Sequence, residues 1–336
     1  MTKAHPAVAS PAARPVVLAL LAAGMAIAGL PAHAQTGYPA QPIRIICPFP
    51  AGGGTDLTSR LLADHLQRAL GQPVSVDNRP GASGMIGTGA VAKTVPDGYT
   101  LLVASGEISV NPHLYPKIAY DWDRELQPVS LLVKVPNLLA VNMDVPAKTV
   151  GELIAHAKTQ PGKLTFSSSG IGNPQQLTGE LFNKLAGVKI VHVPYKGAAP
   201  QIADVAGKHI TMTFVSIGAA LPFVESARIR PIAVTSAARV AALPNVPAIA
   251  EHPPLAGFEV VNFFGFYAPA GIADSILRRL NTAAVQAMTS PETAAKLNAM
   301  GFEPAPNSPE QYRQFIRNES AKFAKIIVEA GVKADQ

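Results

Sequence analysis

From residue 43 onward, short apolar runs alternate with stretches in which apolar residues recur every three or four positions. PIRIICPF, PVSVDN, YTLLVAS, NLLAVN, KLTFSSSG, VKIVHVPY, HITMTFVS and RPIAVTS read as strands, bounded by polar or Gly/Pro residues; runs of that length suit a pleated, buried segment. The intervening stretches read as helices. Leu57, Leu61, Leu62, Leu66 and Leu70 keep helical spacing up to Gly71, which stops the helix. Residues 85–95 form a second helix, entered through NRPGASG. Thr149 and Glu152 have the spacing of a capping box, and Asn173, Pro174 and Gly187 supply an N-cap, a first helical position and a stop. Further on come FFGFYAPA, a helix over residues 274–288 and an amphipathic helix over 309–330. Strand and helix in alternation predict parallel α/β layers.

One local arrangement occurs twice. A strand, a Gly/Ser loop and a helix start fall at residues 43–57 and again at 164–177, about 120 residues apart. Each loop is placed at the carboxyl end of a strand, where open α/β sheets bind ligands. Each directs backbone N–H groups and a helix N-terminus at the same kind of target, an anion. Two such loops facing one another would grip a small molecule with an acidic group at each end.

The N-terminus changes where this fold is expected to work. Lys3 and Arg14 precede an apolar stretch from Val16 to Leu30, and small residues Ala32 and Ala34 close PAHA. This pattern predicts a secretory leader over residues 1–34 and a mature chain beginning at Gln35. Without the leader, 26 basic and 22 acidic residues remain, a net charge of +4 with no basic cluster. The balance favours small anionic ligands over nucleic acid. Cys47 is the one cysteine, so no internal disulfide forms, and its apolar strand marks it as packing.

The catalytic motifs weighed against this reading are weak. No lysine follows the glycines of CPFPAGGGTD as a phosphate loop requires, and GTGAVA matches the letters of a dinucleotide fingerprint without a strand immediately ahead of it. The six histidines after residue 34 show no metal-pair spacing on one helix face, and Ser167, Ser168 and Ser169 lack the nucleophile elbow. No cofactor or metal is implied. Asp56 has two readings. It stabilises its own helix or holds the loop shape, or it reports an ammonium or hydroxyl donor on the ligand. Phe49 stacks on the ligand or belongs to the core.

CPFPAGGGTDLTSRLLADHL, VDNRPGASGMIGTGAVAKTVPDGYTLLVAS, KLTFSSSGIGNPQQLTGELF, VHVPYKGAAPQIADVAGKHI and NESAKFAKIIVEAGVK resemble, in order and spacing, the Bug-type extracytoplasmic receptors, the solute-binding components of tripartite tricarboxylate transporters. The resemblance implies an α/β, two-lobed periplasmic-binding-protein (Venus flytrap) fold, type II-like, with ligand in the interdomain cleft. It implies a periplasmic, monomeric, non-enzymatic protein that binds a small organic acid, has membrane transporter subunits as possible partners and does not bind nucleic acid. The expected division is a signal peptide 1–34, lobe 1 from 35–136 and again 263–336 with the C-terminal helix, and lobe 2 from 137–262. Passages between lobes fall near 135–138 and 262–265. The ligand-binding residues it implies are Phe49, Ala51, Gly53, Thr55 and Asp56; Ala82 and Gly84; and Ser168, Gly170, Gly172 and Asn173, with Thr55, Ser168, Asn173 and Gln176 tuning specificity. This chain departs from the family where Asn173 and Gln176 stand for Ser and His, Val215 for Asp and Phe264 for Trp. Those departures imply a ligand less polar than citrate or differently charged. With no Lys or Arg in either loop, backbone amides are expected to hold the acid, and Gly53→Val and Gly170→Val to harm binding more than Arg60→Ala. A periplasmic sensor feeding a signalling system, or a hydrolase, are the alternatives.

Overall fold

The structure, a computed structural model, describes residues 1–4 and 37–333. Apart from residues 1–4, the expected leader and Gln35 lie outside the described residues. Contacts divide the chain into Met1–Tyr38 and Pro39–Gln336, and the architecture below is that of the second unit.

β1 (Ile43–Cys47) lies between β2 (Val74–Asn78) and β3 (Thr100–Ser105), all parallel, with α1 (Gly54–Leu70) and α2 (Met85–Ala92) as the crossovers. β1 is fully buried except at Arg44, which is why it carries an almost unbroken apolar run. Gly71 stops α1 in the left-handed conformation (φ 74°). After β3 come α3 (Glu107–Leu114) and the short α4 (Trp122–Glu125). β4 (Leu126–Asn142) then runs antiparallel to β9 (Val261–Pro269), which is antiparallel to β3.

β4 serves two sheet regions. Up to Pro136 it pairs with β9; from Asn137 it pairs with β7 (Met212–Ser216) on one edge and β8 (Ile229–Val234) on the other. β5 (Thr165–Ser168) continues parallel to β7, and β6 (Val191–Pro194) parallel to β5. α5 (Val150–Thr159), α6 (Pro174–Ala186), α7 (Ala198–Ala206) and α8 (Ile217–Glu225) cover this second region. The chain returns beside its own outward path. The Val260 N–H bonds the Thr235 carbonyl at 3.0 Å, and Val261 lies opposite Pro136. The sheet is therefore mixed where parallel layers were expected, because β4 and β9 each run antiparallel to their neighbours.

The remainder, α9 (Asp274–Thr289), α10 (Pro291–Ala299), β10 (Glu303–Pro304) and α11 (Pro309–Ala330), packs back on this frame. α11 straddles both regions. Its Tyr312 and Ile316 sit in the core of the first with Leu102 and Tyr267, and its Phe323, Ile326 and Ile327 in the core of the second with Leu139 and Phe214. Each such buried side chain contributes about 1.5–3 kcal/mol. Cys47 is buried as expected. Gly179 of α6 presses on Phe166 of β5: a Cβ there would come 2.2 Å from the ring. That close seat fixes the start of α6 relative to the end of β5, and so fixes the loop between them.

Candidate functional site

The first loop is shaped by one carboxylate. Asp56, in the first turn of α1, is only 2% exposed. Its Oδ2 accepts the Gly52 N–H at 2.9 Å and Arg60 Nε at 3.0 Å; its Oδ1 accepts Asn78 Nδ2 and Arg60 Nη2, each at 2.9 Å. Asn78 Nδ2 also donates to the Phe49 carbonyl at 3.0 Å, so Asp56 and Asn78 clamp both arms of the loop. Burial alone would raise the carboxyl, but Arg60, the Gly52 amide and Asn78 together hold it below the usual carboxylate range. Among the three glycines, Gly52 provides the left-handed turn (φ 83°). Gly54 allows close approach: a Cβ would lie 2.9 Å from Phe302 and 3.1 Å from Phe264, whose rings meet edge to face. Gly53 has an ordinary extended backbone, and a Cβ there would meet only the Pro50 carbonyl at 3.5 Å.

The second loop satisfies itself through its own glutamines. Gln175 Oε1 accepts the Ser169 N–H at 2.9 Å, and buried Gln176 Oε1 accepts the Gly172 N–H at 2.7 Å. Asn173 caps α6 by accepting the Gln176 N–H at 2.9 Å and donates to Ser169 Oγ at 2.9 Å. Ser168 Oγ donates to the Gly170 carbonyl at 2.7 Å and lies 2.7 Å from His192 Nε2. With its own proton so engaged, the serine accepts from the imidazole. Burial pushes His192 down to about 4, so the ring is neutral at neutral pH. Gly172 is left-handed (φ 70°), and a Cβ there would strike Leu114 at 2.4 Å.

Both loops open onto one cavity of about 530 Å³ that lies between the two sheet regions. Of the expected residues, Phe49, Gly53, Thr55, Gly170, Gly172 and Asn173 line it. Ala51, Asp56, Ala82, Gly84, Ser168 and Gln176 do not. Asp56, Ser168 and Gln176 spend their polar atoms inside their own loops, as described. Ala51 and Ala82 point to solvent, and Gly84 instead supports Phe49, to whose ring a Cβ would come within 3.1 Å. Val215 is fully buried in the core, so its replacement of an acid says nothing about the ligand; Phe264 does line the cavity.

The cavity also holds groups that neither loop announced. Asn137, at the point where β4 changes partners, is 1% exposed and its Nδ2 has no hydrogen-bond partner, while its Oδ1 lies 3.4 Å from Gln175 Nε2. Lys196, exposed and carried between β6 and α7, lines the same space. The loops alone suggested a site without a cation; Lys196 corrects that. Glu107 opens α3 at the carboxyl end of β3 and is hydrogen-bonded by Ser105 Oγ. Asn262 completes that wall, its Oδ1 accepting the Gly106 N–H at 3.0 Å. At the start of α1, Gly54 and Thr55 have amides without intrahelical acceptors, which suits an anion.

Residues 58–332 match the family described as tripartite tricarboxylate transporter family receptor. The chain belongs to that family. This receptor is 37% identical to the protein BugT of Bordetella pertussis over 323 residues, covering 94% of its own length and 98% of BugT. The structure of R. palustris Rpa4515 with adipate aligns with a TM-score of 0.80 at 35% identity, over 88% of this chain and 99% of that one. The periplasmic binding protein BugD aligns with a TM-score of 0.76 at 30% identity, over 89% and 100%. The receptor thus has the mixed α/β periplasmic binding protein fold of these structures. Its family binds solutes and is not one of enzymes, so the Ser168–His192 pair is a structural bond of the second loop and the hydrolase alternative falls.

Proposed function

We propose that the receptor captures a small carboxylate-type metabolite in the cavity and delivers it to the membrane subunits of a tripartite tricarboxylate-type transporter. The observation that carries this reading is Asn137 Nδ2, a buried donor without an acceptor in the cavity wall. An unmet buried donor is unfavourable by about 1–3 kcal/mol, and a ligand oxygen would relieve it. The amides of Gly54 and Thr55 and the ammonium of Lys196 add further donors of the right sign. In this reading residues 35–136 and 263–336 form one lobe and residues 137–262 the other. They hinge where β4 and β9 pass side by side and close on the ligand. Residues 1–34 are the leader that sends the chain to the periplasm. That Rpa4515 was obtained with adipate supports the ligand class.

Calorimetry on the chain from Gln35 tests this, with a panel of small mono- and dicarboxylates, amino-substituted ones included. One acid should bind with one-to-one stoichiometry. Asn137→Ala should weaken it by about 1.5–3 kcal/mol, the value of a hydrogen bond to a charged group. An acid whose affinity ignores both Asn137→Ala and Lys196→Ala binds elsewhere, and the reading is wrong.

A further inference from the structure

Asp56 was one candidate for a group that meets a donor on the ligand, but its oxygens are already taken by Gly52, Arg60 and Asn78. The carboxylate that does face the cavity is Glu107. It is half-buried at the first turn of α3, with Ser105 Oγ donating to Oε2. The Tyr120 phenol, from the segment ahead of α4, lines a small adjoining void together with it. Among the described residues lining the cavity, Lys196 is the sole cation, and it comes from the other sheet region. Phe49, Val135, Phe264 and Phe302 supply apolar wall. The cavity therefore offers one negative group from the first sheet region, one positive group from the second, and apolar surface in addition.

A plain dicarboxylate fits this lining poorly. One of its anions would share the cavity with Glu107, and two carboxylates sharing a site do not both ionise without a large penalty. An ammonium reverses the sign of that interaction. We propose that Glu107 is the specificity-determining residue of the receptor and selects a ligand with a carboxylate at one end and an ammonium at the other, an amino acid in the broad sense. This rests on the receptor reading given above. Burial pushes Glu107 up to about 7. Binding of such a ligand should therefore strengthen as pH rises from 5.5 to 8 and the carboxylate forms, whereas a dicarboxylate should weaken over the same range.

Calorimetry with two matched pairs of probes tests the inference: adipate against 5-aminopentanoate, and glutarate against 4-aminobutyrate. Each pair keeps the methylene count and exchanges one carboxylate for an ammonium. For the wild-type chain at pH 8, at least one amino acid should bind tenfold or more tighter than its diacid partner. Glu107→Gln, which keeps size and hydrogen bonding, should abolish that preference and improve the diacid, and Glu107→Asp should keep part of it. Melting temperatures confirm that each variant is folded. Diacids that bind wild type and Glu107→Gln equally well, with no preference for an ammonium, would overturn the inference and leave the receptor reading intact. Diacid binding that is tighter at pH 8 than at pH 5.5 would overturn it too, since an ionised Glu107 would then not oppose a second carboxylate. If none of the four probes binds the folded wild type, the small-acid reading falls and takes the inference with it.

Discussion

Asp56→Ala removes the group around which the first loop is organised, and its effect can be worked out bond by bond. Asp56 accepts four hydrogen bonds, from Gly52, Asn78 and twice from Arg60. The Arg60 pair spans one helical turn with the guanidinium 49% exposed, so it contributes only about 0.3–0.5 kcal/mol. The Gly52 amide and Asn78 are different, since each gives a charged acceptor a hydrogen bond worth about 1.5–3 kcal/mol. Gly52 is open to water and recovers part of its share. The net loss should be about 2–4 kcal/mol at pH 7. The pH dependence follows from the lowered carboxyl. A group held below its unfolded value stabilises the fold fully above the usual carboxylate range, and that stabilisation is lost as pH falls through the folded value. Urea denaturation should therefore show wild type and variant separated at pH 7 and converging below about pH 4. Calorimetry should show every ligand weakened alike, because the loop is displaced and no ligand contact is removed. A variant less than 0.5 kcal/mol below wild type that loses only ammonium-bearing ligands would refute this account and place Asp56 on the ligand.

Gly54→Ala should destabilise by about 1–3 kcal/mol through overpacking against Phe264 and Phe302, whereas Gly53→Ala should change stability by less than about 0.5 kcal/mol; thermal melts of the two variants decide. Because folding keeps His192 near 4 while an unfolded histidine titrates near 6.5, the unfolded chain binds the extra proton between those values. Stability should rise with pH across that window by at most about 3 kcal/mol, and His192→Gln should flatten the rise in urea titrations. Glu107 has the opposite sign. Its folded value near 7 lies above the unfolded one, so wild-type stability falls as pH climbs from about 4.5 to 7. Glu107→Gln should be the more stable protein at pH 8, by up to about 3 kcal/mol, and the gain should vanish toward pH 4.5.

Periodicity and end signals made much of the fold legible. The leucines of α1, the Asn173 cap, Pro174 and the Gly187 stop each act within one or two turns, and the structure places them as read. The first eleven residues of β4 were not legible. Proline cannot donate to a strand ladder, yet here irregular register beside Pro128 and the change of partner after Pro136 absorb two prolines. α3 was hidden by Pro112 within it. At the site, the two glycine loops were visible because their chemistry is local. Which glycine matters was not, since the limit at Gly54 comes from Phe264 and Phe302, more than two hundred residues away in the chain. Asn137 and Lys196 were missed for the same reason, as only the tertiary fold brings them to the cavity. Glu107 left a usable signal, an acid just past the carboxyl end of a strand, where ligands gather in α/β sheets.

In the proposed complex a small acid sits between the two sheet regions on Asn137 and the start of α1. A crystal structure of the chain from Gln35 with its tightest-binding acid tests this most directly. A ligand carboxylate should lie within hydrogen-bond distance of Asn137 Nδ2 and of the Gly54 or Thr55 amide, with the two regions closer together than in the free protein. An acid bound outside this cavity, with Asn137 Nδ2 still unpaired, would contradict it.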